Sequence, residues 1–303
     1  MLSSENKNSI KEVVKEVYFD EPMKKHTTFK IGGPADAFCV VKNVDELLGL
    51  VNLCKTLKIR YMTVGNGSNM LVGDGGIRGV VIKPGGEFMN VKIDGTKAVA
   101  GSGVLLSKLC NVLLKKSLTG LEFAAGIPGC VGGGVYMNAG AYEGMLSQCI
   151  KSVSFIDEDG VLCKKNADEL DFSYRHSYFF DKNCIITECE FLLEEGDSDE
   201  IKEKIAEYNK MRSDKQPLEF PSAGSVFKRP EGYFAGKLIE DSNLKGVRIG
   251  GAEVSKKHAG FIINADNASA KDVTELIAHI KKTVFDNFGV MLEEEVKLIG
   301  EEA

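Results

Sequence analysis

The chain has 303 residues, 43% of them hydrophobic and 27% charged, with a formal net charge of −6. That length suffices for two or three units with real cores, and the composition is that of an ordinary soluble protein. The negative balance argues against non-specific binding to nucleic acid or anionic membranes. The charges spread through MLSSENKNSIKEVVKEV exclude a signal peptide, so a cytoplasmic location is expected.

In chain order, a polar opening helix is predicted over Ser9–Val17. The turn-rich segment His26-Thr-Thr-Phe-Lys-Ile-Gly-Gly-Pro34 follows, with Thr27, Thr28, Gly32 and Gly33 as candidate cofactor contacts. Phe38–Val41 reads as a strand. Val44–Lys58 carries apolar residues at 44, 47, 48, 51, 54 and 57, the stripe of an amphipathic helix. Strands at Tyr61–Val64 and Gly79–Ile82 flank a glycine turn. Phe88–Ile93 and Lys97–Gly101 form a hairpin about Asp94-Gly95, and Leu105–Lys116 is helical. Further strands are expected at Cys149–Asp157, Val161–Lys165 and Cys184–Leu193. The acidic, glycine-broken run Glu194–Glu200 reads as a domain boundary. Beyond it come a helix from Asp199 to Arg212 and another over Ala270–Phe288. The second opens on a capping box of Ser269 and Asp272 and ends at Gly289. A terminal strand is placed at Glu295–Ile299. The division expected is an N-terminal extension (1–20), two units (21–84 and 85–196) and a third (197–303). Eight cysteines lack any C-x-x-C pair and most lie among apolar neighbours, so reduced core thiols are expected and no metal site.

Two stretches concentrate glycine. Gly120–Gly144 holds eight of the chain's 33 glycines and no charge from Phe123 to Tyr142. Its six glycines in that window, with Pro128 and Asn138, make a poor membrane span. Glycine at this density implies φ > 0 or a backbone pressed against something else, either the core or a flat or anionic cofactor. The second stretch, YMTVGNGSNMLVGDGGIRG from Tyr61, can turn the N–H groups of Gly65, Asn66, Gly67, Ser68 and Asn69 inward as an anion nest, a phosphate cradle without a lysine. Neither is a Rossmann or P-loop signature: Met70 stands where a third glycine belongs, Gly101-x-Gly103 fails at Leu106, and no Gly-Lys-Ser/Thr occurs.

TTFKIGGPA, VGNGSNMLV, GIPGCVGGGVYMNAGAYEG, SYRHSYF, SAGSVFKRP, LKGVRIGGAEVSKKHAGFIIN and LEEEVKLIG occur in that order. With these seven motifs the chain resembles, over about residues 20–300, the UDP-N-acetylenolpyruvoylglucosamine reductase family, flavoenzymes of bacterial peptidoglycan synthesis. The resemblance implies an α+β fold with a vanillyl-alcohol-oxidase-type FAD region of two subdomains, followed by a C-terminal α+β substrate-binding domain. It implies non-covalent FAD, held by Gly65–Asn69 and by Gly126, Ile127, Pro128, Gly129, Gly132, Gly133, Asn138, Ala139 and Gly140. It also implies NADPH as co-substrate and a ping-pong order at one face of the flavin, with no obligatory protein partner. Three catalytic residues carry over: Arg175 for the substrate carboxylate and growing enolate, Ser225 as proton donor to carbon, and Glu295 as a stabiliser of the enol. Tyr174, Lys228, Arg229, Lys245 and His258 are candidate sugar-nucleotide contacts. Only eight residues separate Arg175 from Cys184, so the long substrate-covering loop of one family class does not fit.

Two other readings compete. A flavin oxidase on the same fold would use oxygen and often a covalent flavin, with His26 or Cys130 as attachment points. A non-catalytic flavin-binding scaffold explains the glycine cradles but not Arg175, Ser225 and Glu295 together.

Overall fold

Helix α1 (Ser4–Val13) is capped by Ser3, whose side chain accepts from the Asn6 N–H. It begins and ends earlier than predicted, because Val14 is already extended and Glu16–Pro22 forms strand β1. The β-branched residues Val14 and Val17 and the aromatic pair Tyr18-Phe19 favour the pleated conformation over continuing the helix. Then come β2 (Pro34–Val41), α2 (Val44–Thr56), β3 (Tyr61–Thr63), β4 (Met70–Val72) and β5 (Ile77–Pro84). The hairpin of β6 (Val91–Asp94) and β7 (Lys97–Gly101) has the expected turn, with Asp94 opposite Lys97. Phe88, however, lies in a 3₁₀ turn over Gly86–Met89 and is buried.

Helix α3 (Leu106–Leu114) leads through β8 (Leu118–Thr119) to α4 (Val131–Tyr136), β9 (Gly140–Ala141) and β10 (Gly144–Met145). β11 (Ile150–Ile156), β12 (Leu162–Asn166), β13 (Ile185–Leu192) and β14 (Glu194–Glu195) follow. Next are α5 (Ser198–Lys215), β15 (Ser222–Ser225), α6 (Ala235–Asp241), β16 (Arg248–Ile249), β17 (Ala252–Val254) and β18 (Phe261–Asn264). The last elements are α7 (Ala270–Phe288) and β19 (Lys297–Ile299), so the terminal strand starts two residues later than predicted and Glu295 precedes it.

This computed structural model describes residues 1–180 and 182–302. They cluster in two units. The first comprises Met1–Phe19, Ala37–Asn66 and Gly79–Arg212. Its main sheet is antiparallel in the order β12-β11-β13-β7-β6, with α3 and α4 packed over a core that includes Leu106, Leu109, Val131, Phe155 and Phe191. A second core in the same unit joins α1 and α2 to residues of β2 and β5.

The other unit comprises Asp20–Asp36, Gly67–Arg78 and Ser213–Ala303. Here α7 lays Val273, Leu276, Ile277, Ile280 and Val284 on a sheet ordered β15-β18-β17-β16, and β19 pairs in parallel with β4. The capping box of Ser269 and Asp272 is formed, and Gly289 closes α7 with φ +66°. The acidic run at 194–200 is not where these units divide. Glu194 and Glu195 pair with Thr119 and Leu118, and most of α5 stays with the first unit as far as Arg212. All eight cysteines are free; burial pushes the Cys39, Cys54 and Cys110 thiols up to about 12.

Candidate active site

Most glycines of the long stretch are accounted for by protein packing. A Cβ on Gly134 would stand 2.8 Å from Leu146, and one on Gly144 2.2 Å from the Phe123 ring. Gly132 presses on Ser102, and its N–H donates to the Ser102 carbonyl at 2.8 Å. Gly133 differs: it is exposed, and its Cβ direction meets nothing closer than the Cys130 Sγ at 4.0 Å.

Asn138 is left-handed (φ +42°) and buried, and its amide is taken up by the protein. Nδ2 donates to the Ser173 carbonyl at 3.0 Å, and Oδ1 accepts from the Ser147 N–H at 3.0 Å. This ties the glycine stretch to the tight turn that carries Arg175, which Ser173 and His176 close by exchanging backbone hydrogen bonds at 3.2 Å. Arg175 sits at φ +55°, a conformation uncommon for any non-glycine residue and one that clusters at functional sites. Its Nη2 donates to the Gly140 carbonyl at 3.3 Å, and its guanidinium lies 5.0 Å from the Tyr174 ring centroid.

The glycine turn after β3 divides between the units. Asn66 Nδ2 donates to the Pro128 carbonyl at 2.7 Å, and Gly65 lies against Cys130. The expectation of a cradle without a lysine is corrected: Lys83, at the end of β5, donates from Nζ to the Gly65 carbonyl at 2.5 Å. Burial lowers its ammonium below the ordinary value, offset in part by Cys130, and no carboxylate among the described residues ion-pairs with it. In the second unit, Gly67 has φ +61°, and its Cβ direction is blocked by the His26 carbonyl at 2.2 Å. The closeness there belongs to protein backbone. Asn69 Nδ2 donates to the Glu295 carbonyl at 3.1 Å, whereas the Ser68 hydroxyl has no partner among the described residues.

FAD fits what these residues leave available. Among the described residues the buried Ser102 Oγ has no hydrogen-bond partner, Gly133 is open, and Lys83 brings a cation to Gly65. Sequence reasoning missed Lys83 and Ser102. The signals were a lysine ending the apolar run Val80–Ile82, and the serine inside the Gly101-x-Gly103 set aside as a failed fingerprint.

The second unit brings Ser225 and Glu295 together. Ser222 pairs with Ile263 and Ser225 with Phe261, so β15 carries an extra residue relative to β18 and bulges at Ala223-Gly224. Such a bulge re-aims the side chain that follows it. Gly224 has φ +78° with open space at its Cβ position. The Val226 carbonyl then accepts from the Glu295 N–H at 2.7 Å. Glu293 is bonded to Lys228 and Glu294 to Lys281 at 2.7 Å, and the backbone of Glu295 is tied to the residue after Ser225.

Among the substrate candidates in this unit, Lys228 and Lys245 already pair with Glu293 and Glu240. Arg229 stacks 4.0 Å from the Phe234 ring centroid and donates to the Tyr233 carbonyl. His258 Nδ1 accepts from the Gly260 N–H at 3.1 Å, and burial pushes its pKa down. Thr28 donates to the Ser222 carbonyl and Thr27 to that of Ile31; His26 pairs with Glu21 at 3.0 Å.

A family model for the C-terminal domain of UDP-N-acetylenolpyruvoylglucosamine reductase matches residues 216–299, and one for an FAD binding domain matches residues 35–165. The UDP-N-acetylenolpyruvoylglucosamine reductase of Clostridium novyi is 52% identical over 281 residues, 93% of this chain and 91% of that protein. That of Caldanaerobacter subterraneus subsp. tengcongensis is 49% identical over 296 residues, 97% of this chain and 98% of that one. The crystal structure of the Thermus caldophilus reductase superposes with a TM-score of 0.81 at 36% identity, covering 93% of this chain and 98% of that one. Physcomitrella patens BBE-like 1, at 19% identity and a TM-score of 0.50 over 63% of this chain and 44% of that one, shares the fold alone. The architecture is the expected α+β fold with a vanillyl-alcohol-oxidase-type FAD region.

Proposed function

The chain belongs to the UDP-N-acetylenolpyruvoylglucosamine reductase family, an FAD-dependent oxidoreductase line, and on that premise we propose the co-substrate, the order of reaction and the residues that carry it. NADPH is the hydride source, and the product is the lactyl ether of UDP-N-acetylmuramate. Residues 21–196 serve the cofactor and 197–303 the sugar nucleotide, in keeping with family models at 35–165 and 216–299. FAD, when bound, supplies the relay for a hydride from nicotinamide to the enolpyruvyl double bond. No second dinucleotide motif occurs in the chain, which supports sequential use of one flavin face and therefore a ping-pong order.

Arg175 offers a planar fork to the substrate carboxylate, and its two-point geometry also suits the charge that grows on the enolate. The left-handed turn that presents it, stapled by Asn138, supports a positioned rather than a floating guanidinium. Ser225 delivers the proton to the carbon beside the carboxylate. Glu295 acts next to it, holding charge and proton in place while the enol exists. The observation that carries this reading is the Glu295 N–H bond to the Val226 carbonyl, which sets a carboxylate residue beside a serine aimed by a β-bulge.

Ser225→Ala separates the half-reactions. Flavin reduction by NADPH involves no proton transfer to the sugar nucleotide and stays near wild type in stopped-flow absorbance. Reoxidation by substrate slows about 10²- to 10⁴-fold, the usual loss for a positioned general acid. Equal slowing of both halves would make Ser225 a structural residue, and no slowing would place the proton donor elsewhere.

A further inference from the structure

Asn69 stands where the last strand of the second unit parts from its partner. β19 runs parallel to β4 with Lys297 opposite Met70, and the Lys297 N–H donates to the Asn69 carbonyl at 3.0 Å. Hydrogen bonds of a parallel ladder recur at even spacing along both strands, so one rung further back the Glu295 N–H would reach the Gly67 carbonyl. The Gly67 carbonyl instead accepts from the Thr28 N–H at 3.2 Å, and the Glu295 N–H turns to the Val226 carbonyl at 2.7 Å. The Glu295 carbonyl still faces β4, and there the Asn69 side chain meets it, with Nδ2 donating at 3.1 Å. An asparagine amide thus carries the ladder one rung past the end of the strand.

Glu295 is therefore held by both of its backbone groups. Its N–H is bonded to the residue after Ser225, and its carbonyl to Asn69. The residues before it are fixed in the same way, since Phe227 pairs with Glu294 and the Lys228 N–H donates to the Glu293 carbonyl at 2.8 Å. Asn69 sits at the changeover between these partners and β4. The directions of a residue's N–H and carbonyl set the direction of its Cα–Cβ bond, and a working side chain has to be held to within about 0.5 Å. Sequence reasoning puts Asn69 in an anion nest with Gly65–Ser68, yet its side-chain amide is committed to Glu295.

We propose that Asn69 is a positioning residue for Glu295, fixing the backbone from which that carboxylate reaches the substrate. This rests on the role of Glu295 in stabilising the enol. Its effect falls on reoxidation by the sugar nucleotide and not on the binding of FAD.

Asn69→Leu keeps a side chain of similar shape and removes the donor, and Asn69→Asp is carried in parallel in case the leucine variant fails to fold. Holoenzyme of each is followed by stopped-flow absorbance, with flavin reduction by NADPH and reoxidation by substrate read separately. A misplacement of about 1 Å costs a catalysed step about a hundredfold. Reoxidation at saturating substrate accordingly slows about ten- to a hundredfold in both variants. Flavin reduction, FAD content and the half-saturating substrate concentration stay at wild-type values. In the apoprotein, the peptide spanning 293–297 exchanges its amide hydrogens faster in N69L than in wild type.

The decisive measurement is a double-mutant cycle with Glu295→Gln, which removes the charge that Asn69 is there to aim. In that background N69L slows reoxidation no further, because two residues that act as a unit are not additive. Slowing by the product of the two single factors overturns the proposal. So does wild-type reoxidation in both Asn69 variants, and so does loss of FAD or equal slowing of both half-reactions, which would return Asn69 to the cofactor cradle or to the fold. Wild-type reoxidation in Glu295→Gln alone would sink the role given to Glu295, and the proposal with it.

Discussion

Gly65 and Cys130 give a sharp test of how the two glycine stretches meet. A Cβ at Gly65 would lie 2.3 Å from the Cys130 Sγ, far inside the 3.5–4.0 Å of an ordinary contact. The next nearest atom is the Cys130 Cβ at 3.9 Å, which is no obstacle. Cys130 cannot withdraw cheaply: it is buried, it bridges to Leu105, and its carbonyl accepts from the Gly134 N–H. Gly65→Ala therefore costs about 1–3 kcal/mol, the range for overpacking a filled core. With Cys130→Ala the sulfur is gone and the added methyl meets only the 3.9 Å contact. Gly65 has no positive φ, so alanine there is unstrained and restricts the unfolded chain, for a gain of about 0.4–1 kcal/mol. The cycle thus predicts a favourable coupling of about 2–3 kcal/mol between neighbours in contact. Urea unfolding of the four apoproteins, followed by far-UV circular dichroism with m-values compared, measures it. If Gly65→Ala costs as much with Cys130→Ala as without it, the two stretches do not meet through this sulfur and the cradle geometry is wrong.

Arg175→Lys retains charge but loses the fork, so kcat for substrate-driven reoxidation should fall at least about tenfold while flavin reduction by NADPH stays near wild type; near-normal reoxidation would leave Arg175 a purely structural role. Glu190 provides a pH test. Hydrogen bonds from Lys151 and Lys164 hold its carboxyl at about 2, below the ordinary 4.5. A depressed carboxylate contributes stability above its unfolded pKa and loses it as pH falls through the folded one. Glu190→Gln should accordingly flatten the acid limb of the stability curve between about 4.5 and about 2; an unchanged limb would show the pair to be screened out by solvent.

Where local rules agreed with tertiary packing, the fold was legible. α7 was predicted over the residues it occupies, because its capping box, apolar stripe and terminal glycine all point the same way. The opening helix misled because its polar pattern runs on past Val13, while the β-branched and aromatic residues that follow pair as an edge strand. The compact units were illegible for a different reason. Asp20–Asp36 and Gly67–Arg78 join a unit otherwise built from the C-terminal third, and no compositional shift marks a chain that leaves one core and returns to it. Ser225 and Glu295 were named by resemblance alone, since the bulge and the Glu295 to Val226 hydrogen bond that join them span 69 residues of sequence.

Glycine density was the loudest signal in the sequence, and it says where the backbone is crowded without saying by what. Gly67 shows the difference. Its φ of +61° and the His26 carbonyl 2.2 Å from its Cβ position mean that a side chain there would break the protein before it met any ligand. Loss of FAD from a Gly67 variant would therefore report on folding. Gly133 is the opposite case, crowded by nothing nearer than 4.0 Å, so its lack of a side chain has no explanation inside the first unit. In one stretch of sequence the same residue type meets two unrelated demands, packing at Gly132, Gly134 and Gly144 and open approach at Gly133. Only the direction of each missing Cβ separates them, and that direction follows from tertiary structure. The cations behave in the same way. Lys83 and Arg212 are unremarked in sequence because nothing nearby in the chain marks a lysine or an arginine as lacking a counter-charge. Their meaning lies in the carboxylates that, among the described residues, the fold does not bring to them.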